Sequence, residues 1–360
     1  MSESSAEPGF LENIGFVITY KCQIACPHCV LEAGPHRKEE MKNEDVVAWM
    51  RQAASYRNGK IKAVCFTGGE PFYDLRKLRQ LSMAAVDYGM VPTAVTNAFW
   101  AGNMKKALET LDSVPALRVI SISTDEHHQA QIPFDRVKFA VQAAQELGVN
   151  CRVTVCTEDE DAREYQELLK LLRKVVDDEK IDTVVTFPAG RALIKLDSGK
   201  WNMTSEVPRG ACAAAHTPVV FPDGRVLACV GPVIDLRCSH PLLLGNLREE
   251  PLDRILDAAE MNLVLHVLRV WGPERLLRLL EERGFGGSLP QRFVKNSICN
   301  LCYSIMSDST LVAALADLDR DPELVQKTAY ARQYYLDEIH DDISRGMFSN
   351  RKDREDLQGS

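Results

Sequence analysis

The chain has 360 residues, enough for about two domains, and its 45% hydrophobic and 26% charged content suits a globular protein with a sizeable core. Its formal net charge is -8 with no dense Lys/Arg stripe, which argues against DNA or RNA as a partner. Residues 1–10 lack a charged-then-apolar signal pattern, and no run approaches the roughly 18 apolar residues that a bilayer span needs, so a cytoplasmic protein with no membrane association is expected.

From Ile14 to about Ala192, short β-like runs alternate with helical patterns. Strands are predicted at 15–20, 62–67, 92–97, 117–124, 151–157 and 183–187. Helices are predicted between them at 43–56, 75–88, 104–111, 134–147 and 162–176. Six such units predict a parallel sheet covered by helices, and both a partly closed barrel and an open doubly wound sheet fit. The strand alternation puts Val119, Ser121, Ser123 and Asp125 on one face, with Ile120, Ile122 and Thr124 on the other. Further along, Arg152, Thr154 and Cys156 oppose Cys151, Val153 and Val155. Polar faces in successive strands predict a wide interior, filled by solvent or ligand, with chemistry at the C-terminal strand ends.

After Ala192 the alternation stops, and Gly, Pro and Cys become frequent. Pro222-Asp223-Gly224-Arg225 lies between apolar runs at 217–221 and 226–229, which predicts a β-hairpin. Helical patterns follow at 252–259 and 273–283, then a segment with Cys299 and Cys302, a pattern at 308–318 and a charged helical tail with a disordered end. The expected division is a flexible tail at 1–12, a barrel at 13–195, a smaller domain at 196–312 and a helical extension at 313–360.

Eleven cysteines in a reducing compartment point to metal ligation rather than disulfides. Cys22, Cys26 and Cys29 follow the first predicted strand in C-x3-C-x2-C spacing. Three thiolates can grip an iron–sulfur cube and leave one iron open. A zinc ion remains an alternative on spacing alone, with His28 as the nearest fourth donor. The second strand runs into Gly68-Gly69-Glu70-Pro71, where two glycines permit close backbone approach and Glu70 can accept from an ammonium group.

Together, C-x3-C-x2-C after strand one and Gly-Gly-Glu-Pro after strand two resemble the radical S-adenosylmethionine (SAM) superfamily. The resemblance implies an α/β fold with a partial (β/α)6 TIM-like barrel. It implies that Cys22, Cys26 and Cys29 hold a [4Fe–4S] cluster whose open iron chelates SAM. The Gly68–Pro71 loop would contact the SAM amine, with Asn97 and Ser123 as further cofactor-side residues. Pro188-Ala189-Gly190-Arg191-Ala192 resembles the end of that family's sixth strand.

Cys212 and Cys229 flank the predicted hairpin, and Cys299 and Cys302 follow as C-x2-C. Four thiolates complete the shell of a second cluster, though a structural zinc site fits as well. The spacing resembles the SPASM and twitch auxiliary-cluster domains of radical SAM enzymes. No cysteine follows Cys302, which favours the shorter twitch type with one auxiliary [4Fe–4S] cluster. Cys238 is ambiguous, as a replacement ligand or a loose thiol.

The implied chemistry is reductive cleavage of SAM to a 5′-deoxyadenosyl radical, hydrogen abstraction from substrate, and electron transfer to the auxiliary cluster. A reducing protein such as flavodoxin or ferredoxin would supply the electron. Asp125 and His127 are candidate proton acceptors, and Cys156 is a candidate hydrogen-atom donor. Two substrate classes compete: a ribosomally made peptide, and a small molecule such as an aminocyclitol or sugar alcohol. Only 21 residues precede Cys22, too few for a leader-recognition domain, yet peptide modification is the preferred reading. A non-catalytic iron–sulfur carrier is the third class; it has no use for Gly68–Pro71.

Overall fold

Asn13–Thr19 (β1) reads NIGFVIT, and its residues from Ile14 onward are all buried. A strand covered on both faces needs partners on both edges, and the computed structural model supplies them. It describes residues 9–229, 231–236 and 238–338. Residues 1–8 of the tail expected over 1–12, and 339–360 at the end of the expected extension, lie outside these residues, while Phe10 and Leu11 of that tail are buried rather than flexible.

On one side of β1 the strands follow in chain order: Ala63–Gly68 (β2), Val91–Thr96 (β3), Val119–Ser123 (β4), Asn150–Thr157 (β5) and Ile181–Val185 (β6). All are parallel, with Phe16 opposite Phe66 and Ser121 opposite Arg152. Helices Asn43–Ser55 (α1), Leu75–Asp87 (α2), Met104–Asp112 (α3), Glu126–Gln129 (α4), Phe134–Glu146 (α5) and Arg163–Leu172 (α6) lie between them. The helices turn apolar stripes inward, as α2 does with Leu78, Leu81 and Ala85. Polar caps fix their starts. Asp74 accepts from the backbone N–H groups of Arg76 and Lys77, and Asn103 from that of Lys106. Ile120 and Ile122 are buried while Ser121 and Ser123 are half-exposed, so the expected alternation is present.

Past β6 come Ala192–Lys195 (α7), Met203–Thr204 (β7), Val219–Val220 (β8), Arg225–Leu227 (β9) and Leu243–Asn246 (β10). The sheet does not stop at the domain boundary expected near 195. β8 pairs in parallel with β1, Gly15 opposite Val219, and β9 and β10 extend the same nine-stranded sheet antiparallel. The hairpin around Gly224 is therefore present, with shorter strands than the sequence predicts.

The rest is helical: Leu252–Met261 (α8), Leu263–Trp271 (α9), Pro273–Glu282 (α10), then the two-residue strand Phe293–Val294 (β11) against β7, and Ile298–Met306 (α11), Ser309–Leu315 (α12) and Pro322–Tyr335 (α13). A buried ionic knot ties α9 to α13. The Glu338 carboxylate accepts from Arg269 and Arg332, and Arg269 lies 4.2 Å over the Phe10 ring. No single described helix is long and apolar enough to cross a membrane. The segments Ile298–Met306 and Ser309–Arg320 pass on composition together, but they meet at a 93° bend and bury Leu301, Ile305 and Met306 in the core.

Candidate active site

β1 delivers the chain into a loop that carries Cys22, Cys26 and Cys29. The loop is pinned by its own backbone. Cys22 N donates to Gly34 O at 3.3 Å, Gly34 N to Tyr20 O at 3.1 Å and Cys29 N to Cys26 O at 3.2 Å. A second clamp comes from just beyond β6. The Arg191 guanidinium donates to the carbonyls of Cys26 (2.7 Å) and Ala33 (2.6 Å). Arg191 N also reaches Cys29 O at 3.3 Å. The Pro-Ala-Gly-Arg-Ala segment thus holds the cysteine loop, a role its sequence did not disclose.

The three thiols converge. Burial, with Glu70, Cys26 and Cys29 adding to it, pushes Cys22 up to about 12. Burial also raises Cys29. Bare thiolates are therefore unstable here, and a bound cationic centre would reverse that. A lone zinc with bonds of about 2.3 Å needs its thiolates roughly 4 Å apart. Among the described residues, no three ligand groups that include a thiol lie within 4.8 Å of one another.

Gly68 and Gly69 are explained by the same loop. A Cβ on Gly68 would lie 2.2 Å from Thr19 O, and one on Gly69 would lie 2.2 Å from Lys21 O. The close approach is backbone to backbone, and it lets Gly69 N and Glu70 N donate to Thr19 O and Lys21 O at 2.7 and 2.9 Å. Pro71 opens a short turn that Glu70 caps. The Glu70 carboxylate is fully buried and accepts from Phe72 N, Thr96 Oγ1 and Asn97 N at 2.8–3.0 Å. Burial raises its pKa to about 7 against those bonds. Three acceptor positions are used, so Oε2 keeps room for one more donor.

Across the loop, Asp125 follows β4 and is fully buried. Oδ1 accepts from the backbone of His127 and His128 at 2.9 Å each; Oδ2 meets His128 Nδ1 at 2.7 Å and His28 Nε2 at 3.4 Å. Burial works against the charge, but His128 and His28 hold the Asp125 carboxyl below its usual range. Burial keeps His28 neutral, at about 4. With Nε2 spent on Asp125, His28 Nδ1 is a buried nitrogen without a partner. His127 Nε2 is paired with Glu158 Oε1 at 2.9 Å. Cys156 faces the same interior: burial raises its thiol, and Asp125, Glu158, Cys26 and Cys29 are the charges it feels. Ser123 lies half-buried at the end of β4.

These features fit the groups that the sequence motif implies. The loop offers three sulfur donors, an orphaned ring nitrogen beside the third, and a carboxylate with spare acceptor capacity.

The second set also assembles. Cys302 feels Cys212, Cys229 and Cys299, and burial lifts it well above the ordinary thiol value. Burial brings Cys229 and Cys299 to about 12. Cys299 and Cys302 ride on α11, with Ser297 capping that helix. The Cys238 thiol donates to Met306 O at 3.7 Å, at the end of the helix that carries Cys299 and Cys302. Asp235 connects the two regions, accepting from Gly190 N at 3.1 Å, one residue before Arg191.

The functional reading of the sequence did not use Gln23, His128, Glu158 or Arg191. His128 adjoins the candidate His127, but its pairing with Asp125 needs the turn of α4. Glu158 meets His127 only because β4 and β5 are neighbours.

Residues 16–172 match the family model described as the Radical SAM superfamily. YydG of Bacillus subtilis (strain 168), whose name refers to peptide biosynthesis, is 23% identical over 305 residues, covering 83% of this chain and 93% of that protein. Among solved structures, BtrN in complex with AdoMet and 2-DOIA aligns with a TM-score of 0.43 at 16% identity, covering 72% of this chain and 87% of that one. TsrM from Kitasatospora setae, with cobalamin and a [4Fe-4S] cluster bound, gives 0.37 at 16% identity over 52% and 39%.

Proposed function

From the match of residues 16–172 to the Radical SAM superfamily model, we propose that the chain is a radical SAM enzyme that modifies a ribosomally made peptide and uses a second iron–sulfur cluster of the twitch or SPASM type. The observation that carries this reading is the gathering of cysteines into two separate sets, three in one loop and four from three segments. Cys22, Cys26 and Cys29 would hold the SAM-binding [4Fe–4S] cluster; Cys212, Cys229, Cys299 and Cys302 would hold the auxiliary one. When bound, the first cluster and SAM supply hydrogen-atom abstraction from an unactivated C–H bond. The second cluster, closed by four thiolates, has no open iron for substrate and suits electron transfer.

The side chains around the loop take defined parts. Glu70 offers its remaining acceptor position to the SAM ammonium, with Gly68, Gly69 and Pro71 fixing where it stands. Ser123 and Asn97, at the ends of β4 and β3, lie on the cofactor side. Asp125 positions His28 and His128. His127, held at Nε2 by Glu158, can take a substrate proton at its other nitrogen. Cys156 stays protonated, which suits it to return a hydrogen atom rather than to attack as a nucleophile. The peptide class is supported by the similarity to YydG across most of both chains.

The test is anaerobic incubation of the reconstituted full-length protein with SAM, dithionite and either short synthetic peptides or aminocyclitols. Peptide-dependent 5′-deoxyadenosine, with a changed peptide mass or retention time, is the expected result. Turnover of the aminocyclitols alone moves the substrate class. No 5′-deoxyadenosine in any arm overturns the reading.

A further inference from the structure

We propose that the Asn97 carboxamide, oriented by Gln23, hydrogen-bonds to the sulfur of Cys22 and raises the reduction potential of the cluster that this sulfur ligates. The proposal rests on the reading of Cys22 as a cluster ligand. It gives Asn97 a part beyond the cofactor contact expected from sequence.

Asn97 follows β3 and is 5% exposed. Its backbone N–H is fixed on Glu70 Oε2 at 2.8 Å. Its side-chain Oδ1 accepts from Gln23 Nε2 at 2.8 Å and from Phe99 N at 3.1 Å. The backbone N–H of Phe99 cannot flip, so it decides the orientation of the Asn97 amide, and Gln23 turns the matching N–H toward the same oxygen. Nδ2 must therefore point the other way, and there it meets Cys22 Sγ at 3.6 Å. In the thiol form Cys22 donates to Gln23 Oε1 at 3.6 Å. That proton is lost on ligation, which leaves the sulfur as acceptor only and Asn97 as its donor.

The physical effect has one sign. One electron added to a [4Fe–4S] centre increases the negative charge shared by its sulfurs, with no bond broken and no proton moved. A buried N–H aimed at a sulfur stabilises the reduced form more than the oxidised one, so it raises the potential. Gln23 acts through Asn97 and is a positioning residue.

The experiment is a dithionite titration followed by EPR, on reconstituted full-length protein without SAM. The SAM-binding cluster is identified as the signal that changes when SAM is added afterwards. Asn97→Leu keeps the shape and removes the donor. It is expected to weaken one-electron reduction about tenfold, a fall of about 59 mV. Gln23→Leu, which leaves the Asn97 oxygen held by Phe99 N alone, should shift the potential the same way by less. If Asn97→Leu fails to retain iron, Gln23→Leu decides alone. A wild-type potential in each variant that retains iron overturns the proposal, and an Asn97 that served only SAM would give that result. A wild-type protein with no SAM-sensitive signal would instead sink the radical SAM reading.

Discussion

Cys22, Cys26 and Cys29 come from eight consecutive residues of one loop, whereas Cys212, Cys229, Cys299 and Cys302 come from a loop, the end of β9 and one face of α11. The first set is shaped by backbone hydrogen bonds and the Arg191 clamp. The second exists only when the C-terminal helices are packed. A local loop can hold three ligands and leave a corner for chemistry. On the proposed reading, a tertiary assembly would supply four and close the shell, joining ligand geometry to fold stability.

The hardest blow to this contrast is removal of the first set. Changing Cys22, Cys26 and Cys29 to Ala should cut 5′-deoxyadenosine yield by at least about a thousandfold, given what enzymes contribute to such rates. The far-UV circular dichroism should stay native, because Ala keeps the small apolar volume of each cysteine and the backbone bonds of the loop. Equal yields would break the assignment.

Next comes the second set. Cys299→Ala with Cys302→Ala should lower iron from about eight to about four per chain under thiolate ligation. SAM cleavage should persist while modified product falls. Wild-type protein with about four irons and one zinc would contradict an auxiliary iron–sulfur cluster.

The scaffold of the second region can be probed without its thiols. Glu338→Gln leaves Arg269 and Arg332 facing a neutral group, at a cost of about 3 kcal/mol read from the urea midpoint. Burial opposes the Glu338 charge, but Arg332 and Arg269 hold its folded pKa below the ordinary value. Its contribution is therefore fully present above the unfolded value of about 4.3 and is lost as pH falls through the depressed folded one. The Gln variant should lack that acid-dependent part, and an unchanged acid profile would exclude Glu338 as its source.

The smallest effect belongs to the clamp. Arg191→Ala removes two charge-assisted bonds to the cysteine loop and should cost about 2 kcal/mol. The check is iron lost from the first cluster during gel filtration, with the second cluster's iron unchanged. Equal loss from both would mean Arg191 serves the whole fold.

The six parallel strands were legible because apolar runs of strand length alternate with amphipathic helices, and all six lie within two residues of the expected ends. α9 was missed for a physical reason. Leu263–Trp271 reads LVLHVLRVW, and its polar side is only His266 and Arg269, both buried, so it lacks the solvent-facing stripe that marks a surface helix. The cysteine spacings were visible, and so was the Gly-Gly-Glu-Pro turn. What Glu70 does was not, since its partners Thr96 and Asn97 arrive from another strand. The Gln23–Asn97 bond spans 74 residues and has no signature in either neighbourhood.

The pairing of Gly15 with Val219 carries a consequence for how the polypeptide is made. During synthesis β1 can acquire β2 early, but its other flank waits until residue 219 has left the ribosome. Until then a row of open amides and carbonyls beside Phe16 and Val17 invites pairing with a stranger. A polypeptide released before β8 should accumulate in inclusion bodies rather than persist as a free-standing barrel, so the late strand acts as the guardian of the earliest one.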